Sequence, residues 1–261
     1  MTIKNSSSSP RLSVTIITVC YNSVNTIKNT IQSVLNQSYE NIEYIIIDGQ
    51  STDGTLEILN QYKDQINFIS EPDKGMYDGL NKGIEKASGD IIGILNADDF
   101  YIDKNVIEDV VKQMQVENAA ALYADLYYVD AENTDDIKRY WKSGRYKHGD
   151  FIKGWMPPHP TFFLKKECYE EYGIFNISLK TAADYELMLR MLHKHQVPST
   201  YLNRVIVKMR VGGMSNVSLM NRYKANREDK KAWEINDLKP AAYTFLFKPM
   251  RKIVQFFGER G

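Results

Sequence analysis

The feature that most constrains the fold is an alternation of short apolar runs with amphipathic stretches across residues 12–118. Four apolar runs have the composition of buried strands, and apolar residues at helical spacing separate them; the runs are 12–19, 42–47, 66–69 and 90–95. Near-continuous apolar strands that alternate with helices are typical of a parallel sheet covered on both faces. The sequence therefore predicts an α/β fold with a mostly parallel central sheet flanked by helices.

The alternation changes near residue 120, which divides the predicted domain into halves of about 12–118 and 119–219. Two strand-like runs without an intervening helix open the second half, and helical stretches and a final strand follow. Residues 1–11 form a polar leader that we expect to be disordered. Residues 220–261 carry 10 Lys and Arg against 5 Asp and Glu, and we expect them to form a helical basic tail.

Composition excludes several classes of protein. With 43% hydrophobic and 25% charged residues, the 261-residue chain is neither disordered nor collagen-like. Lys plus Arg and Asp plus Glu both number 33, so no net positive field is available to hold nucleic acid. Only Cys20 and Cys168 occur, with no evident secretory signal and no apolar run long enough to span a bilayer. We therefore expect a cytoplasmic protein without nucleic-acid partners.

Acidic residues follow three of the predicted strands. Asp48 ends the second run, Asp73 follows the third, and Asp98 and Asp99 follow the fourth. The carboxyl ends of parallel strands meet at one edge of a sheet, where such sheets bind their ligands. Gathered carboxylates are costly without a cation, and oxygen ligands favour Mg²⁺ or Mn²⁺. The alternative is that Asp48 is a turn residue and that Asp98 and Asp99 form a solvated turn.

Other chemistries lack their motifs in the sequence. No glycine-rich dinucleotide fingerprint follows the first run, and neither a Walker-type phosphate loop nor a Cys-x-x-Cys pair occurs. His193 and His195 are two residues apart on a predicted helix, so they face different directions and make a poor metal pair.

At the strand ends the sequence resembles family 2 glycosyltransferases with the GT-A fold, a Rossmann-like architecture. The matching runs are SVTIIT at 13–18 leading into Tyr21-Asn22, IDGQSTDGT at 47–55, SEPDKGMYD at 70–78, Gly89-Asp90 leading to LNADD at 95–99, HPTFF at 159–163 and AADYEL at 182–187. Together they cover about residues 12–210 in the family's order. The resemblance is greatest to bacterial enzymes that build O-antigen or exopolysaccharide, and it makes the first half the donor half and the second the acceptor half.

The resemblance implies a nucleotide site in the first half. Asp48 is expected near the nucleotide base, with the backbone around Thr18 and Tyr21 lining the uridine pocket. Asp73 and Lys74 occupy positions where the family continues its donor site.

The resemblance also places a metal site in the stretch that follows the fourth run. Asp98 and Asp99 match the region that binds the metal and the sugar nucleotide, with Mn²⁺ or Mg²⁺ as the implied cofactor. Asn96 stands where the family commonly has a first aspartate, and an amide brings no charge. The metal is therefore expected on Asp98 and Asp99, with Asn96 as a donor-site residue.

Two residues of the second half are candidates for the chemistry itself. Asp184 matches the family's catalytic base, and its alternative role is that of a helix N-cap. His159 lies between two prolines, where a rigid loop presents it either to the acceptor or to the diphosphate. The alternative for His159 is an ordinary packed or solvated loop histidine.

The activity implied by the resemblance is transfer of a hexose from a UDP-sugar to a lipid-diphosphate-linked saccharide, with inversion at the anomeric carbon, in bacterial surface polysaccharide synthesis. Two alternatives stay open at this stage. One is a sugar-phosphate nucleotidyltransferase, although its glycine- and arginine-rich loop is absent after the first run. The other is a non-catalytic carbohydrate-binding protein on the same fold, which Asn96 favours and Asp98, Asp99 and Asp184 disfavour.

The end of the chain combines apolar and basic residues. Met250, Ile253, Val254 and Phe257 share one face at helical spacing, with Lys and Arg beside them. Such a segment suits an interfacial helix on an anionic membrane surface, and a helix docked on the domain itself is the alternative. A lipid-linked acceptor favours the membrane, so we expect peripheral contact of residues 245–257 with the cytoplasmic face of the inner membrane.

Overall fold

The first half of the chain forms four parallel strands joined by helices. The computed structural model describes residues 11–212 and 219–245. The elements of the first half are β1 (Val14–Cys20), α1 (Ile27–Leu35), β2 (Ile42–Asp48), α2 (Thr55–Gln61), β3 (Asn67–Ser70), α3 (Met76–Lys86) and β4 (Ile91–Ile94). The strands lie side by side in the order β3-β2-β1-β4, and every pair is parallel. The predicted strands and helices of this half are confirmed.

The remaining elements add strands of both directions. The first half is completed by β5 (Phe100–Tyr101) and α4 (Val106–Val116). The elements that follow are β6 (Ala121–Val129), β7 (Ile137–Trp141), β8 (Phe163–Lys165), α5 (Lys166–Tyr172), α6 (Ala183–Met188), β9 (Ser199–Arg210) and α7 (Leu219–Ile235). Short 3-10 turns occur at Asp150–Lys153 and His159–Thr161, and π-helical turns over Leu189–Lys194 extend α6.

The complete sheet is mixed rather than uniformly parallel. Its order is β3-β2-β1-β4-β8-β6-β9-β5, and β7 pairs with β6 beyond the end of β8. β8 runs antiparallel to both β4 and β6, whereas β6 and β9 are parallel. β8 is only three residues long, and it joins the two parts of the sheet by pairing with β4 on one side and β6 on the other.

Each face of the sheet is covered by its own apolar core. Ile16 and Ile46 belong to the core that α1 and α4 cover, whereas Ile17 belongs to the core that α3, α5 and α6 cover. Helix α3 approaches β1 closely because it carries glycine where the two elements touch: a Cβ on Gly83 would lie 2.5 Å from the Cγ2 atom of Ile17. This close approach fixes the N-terminal turn of α3, including Tyr77, beside the end of the sheet.

The start of the predicted basic tail packs against the domain. In α7, the Trp233 side chain is 1% exposed, and its indole Nε1 donates a hydrogen bond to the Tyr185 hydroxyl at 2.9 Å. The Asn236 amide donates to the Glu186 carboxylate at 2.8 Å. Within the described residues, no helix is long and apolar enough to cross a membrane. Except for Phe245, the segment for which we expect membrane contact lies outside the described residues.

Candidate active site

Asp48 lies at the carboxyl end of β2 and is fully buried. One carboxylate oxygen accepts hydrogen bonds from the Ser51 hydroxyl and, at 3.5 Å, from the Cys20 thiol. The other accepts from the Ser51 backbone N–H at 3.0 Å and from the Ser70 hydroxyl at 2.6 Å. Burial beside this carboxylate raises the pKa of Cys20, so the thiol remains a donor. The contacts of Asp48 are those of a turn residue that organises the loop after β2, and its nearness to a nucleotide base stays a prediction.

Of the other residues predicted to bind the nucleotide, Tyr21, Asp73 and Lys74 lie at the sheet edge, whereas the Thr18 side chain is internal. A Cβ on Gly49 would lie 2.8 Å from the Asp73 carboxylate and 3.5 Å from the Tyr21 ring, so these two side chains flank one backbone position at the sheet edge. The Tyr21 side chain is 63% exposed. Lys74 is also exposed. The Thr18 hydroxyl instead points into the sheet, where it donates to the Leu95 carbonyl at 2.8 Å.

The stretch after β4 is tightly held. The Thr30 hydroxyl donates to the backbone carbonyls of Ala97, at 3.0 Å, and Asp99, at 2.7 Å. The Asn96 amide donates to one Asp99 carboxylate oxygen at 2.8 Å, and the other oxygen is buried without a hydrogen-bond partner in the described part of the chain. Burial, together with the charge of neighbouring Asp98, raises the pKa of Asp99 well above its ordinary value. The alternative of a solvated turn is therefore wrong for Asp99.

A cation that sequence reasoning missed lies beside these carboxylates. Arg210, at the end of β9, donates a hydrogen bond from its guanidinium to the backbone carbonyl of Asp98 and lies 4.8 Å from the centroid of the Phe100 ring. Burial lowers the pKa of Arg210, and the nearby charges of Asp99 and Asp98 oppose that shift. We expected a positive charge beside Asp98 and Asp99, which we call the acidic pair. Arg210 supplies part of that charge from the protein itself. Because Arg210 is 112 positions from Asp98, no local sequence pattern connects the two residues. The only sequence signal for Arg210 was the need for a charge that compensates the carboxylates.

Asp98 and Asp99 suit a divalent cation that takes its remaining ligands from water and substrate. Among residues 11–212 and 219–245, no cluster of three or more His, Cys, Asp or Glu could enclose a metal ion. Mg²⁺ characteristically binds through one or two carboxylates and completes its shell with water and substrate phosphates. Asp98 is partly exposed, and the second Asp99 oxygen is unpaired, so this pair has the oxygens that such an ion requires.

Asp184 lies on α6 opposite the stretch after β4. One of its carboxylate oxygens accepts a hydrogen bond from the Tyr77 hydroxyl at 3.1 Å, and the other lies 3.3 Å from Nδ1 of His159. The cap residue of α6 is Ala182 and no side chain caps that helix, so the alternative of Asp184 as an N-cap is wrong. The Asp184 side chain is 20% exposed, which leaves it accessible to a hydroxyl group.

His159 connects the two parts of the site. Its Nε2 lies 3.4 Å from the Asn96 amide nitrogen, on the side of the ring opposite Asp184. Burial beside Asp184 raises the pKa of Tyr77, which keeps the phenol protonated as a donor to that carboxylate. No sequence pattern connects Tyr77 with Asp184, because the two residues are 107 positions apart. The structure brings Asn96, His159 and Asp184 together, and an apolar cavity lined by Met76, Leu80 and other side chains adjoins them.

Arg210→Gln should lower the free energy of unfolding by about 1–3 kcal/mol, because it removes the cation beside the buried Asp99 and the partly exposed Asp98, together with its hydrogen bond to the Asp98 carbonyl. Added Mn²⁺ should restore part of that loss by compensating the same charge. Urea denaturation with and without Mn²⁺ measures both effects. The matched control is Arg204→Gln, since Arg204 pairs with Asp103 and Asp109 at a more exposed surface. Equal Mn²⁺ responses of the two variants would contradict the assignment.

Comparison with known proteins gives three kinds of similarity. The model of the family described as glycosyl transferase family 2 matches residues 15–173. The Escherichia coli protein named UDP-Glc:alpha-D-GlcNAc-diphosphoundecaprenol beta-1,3-glucosyltransferase WfaP is 35% identical over 186 residues, 69% of this chain and 70% of that protein.

Two groups of solved structures share the fold. Residues 1–349 of Staphylococcus aureus TarS, in complex with UDP-GlcNAc, superpose with a TM-score of 0.65 at 17% identity, covering 95% of this chain and 74% of that one. A mannosyltransferase from Pyrobaculum calidifontis, PcManGT in complex with GDP-Man and Mn²⁺, has a TM-score of 0.65 at 18% identity, covering 94% of this chain and 70% of that one.

Proposed function

Because the chain belongs to glycosyl transferase family 2, we propose that it transfers a hexose from a UDP-sugar to a lipid-diphosphate-linked saccharide in bacterial surface polysaccharide synthesis. Family membership confirms the expected glycosyltransferase resemblance and the α/β fold of the GT-A type. The observation that carries the proposal is the partly exposed Asp184 carboxylate, held by Tyr77 and His159 across from the acidic pair.

The donor site we propose lies along the carboxyl ends of β1, β2 and β3. The exposed ring of Tyr21 offers a stacking surface for a base, and base–aromatic stacking is favourable for any base. Asp73, on the other side of Gly49, offers a carboxylate that can accept the imide N–H of uracil. The choice of UDP is supported by the UDP-Glc in the name of WfaP and the UDP-GlcNAc in the TarS complex.

The diphosphate is expected to lie next to Asp98 and Asp99. These two residues would hold Mn²⁺ or Mg²⁺, and the PcManGT complex with Mn²⁺ supports this choice. The ion, when bound, neutralises the negative charge that develops on the departing diphosphate. Arg210 keeps the backbone of Asp98 in position through its hydrogen bond to the carbonyl.

Asp184 acts as the general base in this mechanism. Its carboxylate removes the proton from the acceptor hydroxyl while that oxygen attacks the anomeric carbon. Tyr77 and His159 keep the carboxylate in one orientation by contacting one oxygen each. Direct attack by the acceptor on the face opposite the leaving diphosphate inverts the anomeric configuration. The diphosphate bond to the sugar breaks in the same step and UDP leaves.

We propose that residues 245–257 bring the enzyme to an anionic leaflet at the cytoplasmic face of the inner membrane, where a lipid-linked acceptor would be found. The support is the sequence of this segment, with its basic and aromatic residues, and the diphosphoundecaprenol acceptor in the name of WfaP. Replacing Lys248, Arg251 and Lys252 together by Gln should abolish flotation of the full chain with anionic vesicles at low salt. The same change at Lys230, Lys231 and Lys239 is the control, and loss of flotation in both or neither would contradict the assignment.

The direct test of the function is a screen of nucleotide sugars with lipid-diphosphate-linked acceptors and Mn²⁺. We expect UDP to be released in step with glycosylated acceptor for one UDP-hexose. Formation of a nucleotide sugar from a sugar phosphate and a nucleoside triphosphate would instead identify a nucleotidyltransferase. Saccharide binding without turnover of any donor would indicate a carbohydrate-binding protein.

A further inference from the structure

A chain of polar contacts runs from the acidic pair to the candidate base. Asp99 accepts a hydrogen bond from the Asn96 amide at 2.8 Å, and the same amide nitrogen lies 3.4 Å from Nε2 of His159. Nδ1 of His159 lies 3.3 Å from one oxygen of Asp184, whose other oxygen accepts from the Tyr77 hydroxyl at 3.1 Å. Each member of this chain contacts the next, from the loop after β4 to helix α3.

The amide at its centre determines which nitrogen of His159 carries the hydrogen. The amide nitrogen of Asn96 only donates, and its two N–H groups face Asp99 and Nε2 of His159. Nε2 must therefore accept, which places the ring hydrogen on Nδ1. Nδ1–H then faces a carboxylate oxygen of Asp184, with Nδ1 3.3 Å from that oxygen. This tautomer is the opposite of the one that free histidine favours in water, so the contacts on both sides of the ring are needed to hold it.

We propose, on the basis of the proposed function, that Asn96 and His159 are positioning residues for the general base. Asn96 keeps the ring hydrogen of His159 on Nδ1, and His159 contacts one oxygen of Asp184. Tyr77 holds the other oxygen, so the carboxylate cannot rotate away from the acceptor. The same amide contacts Asp99, which ties the orientation of the base to the loop that carries the acidic pair.

The proposal also accounts for an amide rather than a carboxylate at position 96. An aspartate there would place a carboxylate against Asp99, 2.8 Å from the present amide nitrogen, and a second acceptor against Nε2 of His159. Nε2 would then gain a hydrogen, and the resulting imidazolium would stabilise the charged form of Asp184 and weaken it as a base. Asn96 prevents this by donating where an aspartate would accept.

The first test is the tautomer of His159 in the free, full-length protein. Nitrogen-15 NMR of the imidazole rings at about pH 8.5, two units above the ordinary histidine pKa, distinguishes the two neutral tautomers. His159→Gln identifies the His159 signals among those of 4 histidines. We expect the Nδ1–H tautomer. A hydrogen on Nε2 in the wild-type protein would overturn the proposal, because the amide of Asn96 would then have to present its oxygen to the ring.

The second test uses variants at position 96. In Asn96→Ala the His159 signals should move toward the Nε2–H tautomer, and in Asn96→Asp both nitrogens should carry hydrogen at about pH 7. The signals of His148 and His193, whose rings stack on each other at 4.9 Å, should stay unchanged. Asn60→Asp, on the surface of α2, is the matched control and should leave every imidazole as in the wild type. His159 signals that stay unchanged in both variants would refute the role of Asn96.

Kinetics separate positioning from a structural role. Asn96→Ala and Asn96→Asp should lower kcat by about 10-fold or more while the KM for the nucleotide sugar changes little, because the orientation of the base affects the chemical step. A rise in KM with unchanged kcat would mean that Asn96 only binds the donor. The tautomer is measured without substrate. Its outcome therefore tests the role of Asn96 independently of whether the protein is a glycosyltransferase.

Discussion

Asp98→Ala should lower kcat by about 10³-fold or more, because it removes a ligand of the ion that offsets charge on the leaving diphosphate. Asp99→Asn should have a comparable effect while retaining the shape of a fully buried side chain. EDTA should reproduce the loss in the wild-type protein, and Mn²⁺ or Mg²⁺ should restore the rate. Release of UDP from the nucleotide sugar, in the presence of acceptor, measures all of these effects.

The control for this series is Asp135→Ala, since that side chain is 93% exposed between β6 and β7. It should retain the wild-type rate and the wild-type response to EDTA. Circular dichroism of each variant tests whether the fold is retained. Full activity of the wild-type protein in chelator would refute the metal-dependent mechanism.

Asp184→Asn should lower kcat by about 10²–10⁴-fold, the usual range for loss of a general base. The amide keeps the size of the carboxylate but cannot accept the proton of the acceptor hydroxyl. Binding of UDP, measured by calorimetry, should change little, because Asp184 contacts Tyr77 and His159 and not the residues proposed to bind the base, Tyr21 and Asp73. Asp150→Asn is the matched control, since Asp150 has a similar exposure of 15% and lies outside the contact chain. If Asp184→Asn turns over at the wild-type rate, the base is a different residue.

The parallel half of the sheet was predictable because each of its strands carries its own pattern. β1, β2 and β4 are mostly buried, so most of their residues are apolar and the runs can be recognised in the sequence without knowledge of their neighbours. The polar residues after these strands were predictable for the same reason, since parallel strands bring their carboxyl ends to one edge. Asp73 and Tyr21 do lie together there.

The antiparallel strands depend on partners that are distant in the sequence. β8 has three residues and β5 has two, too few for a periodic pattern, and each is extended because a longer strand pairs with it. Arg210 and Tyr77 joined the candidate site in the same way, through contacts across more than 100 residues. Asp48 shows the opposite case. Its position was predicted, but hydrogen bonds from Ser51 and Ser70 occupy its two carboxylate oxygens.

The most direct test of the mechanism is the anomeric configuration of the product. With an α-linked UDP-hexose as donor, NMR of the glycosylated acceptor reports the configuration of the new bond through its anomeric coupling. A single displacement with Asp184 as the general base predicts a β-linked product and no α-linked product. An α-linked product would contradict the account, because retention requires either a second displacement or attack from the face of the leaving diphosphate.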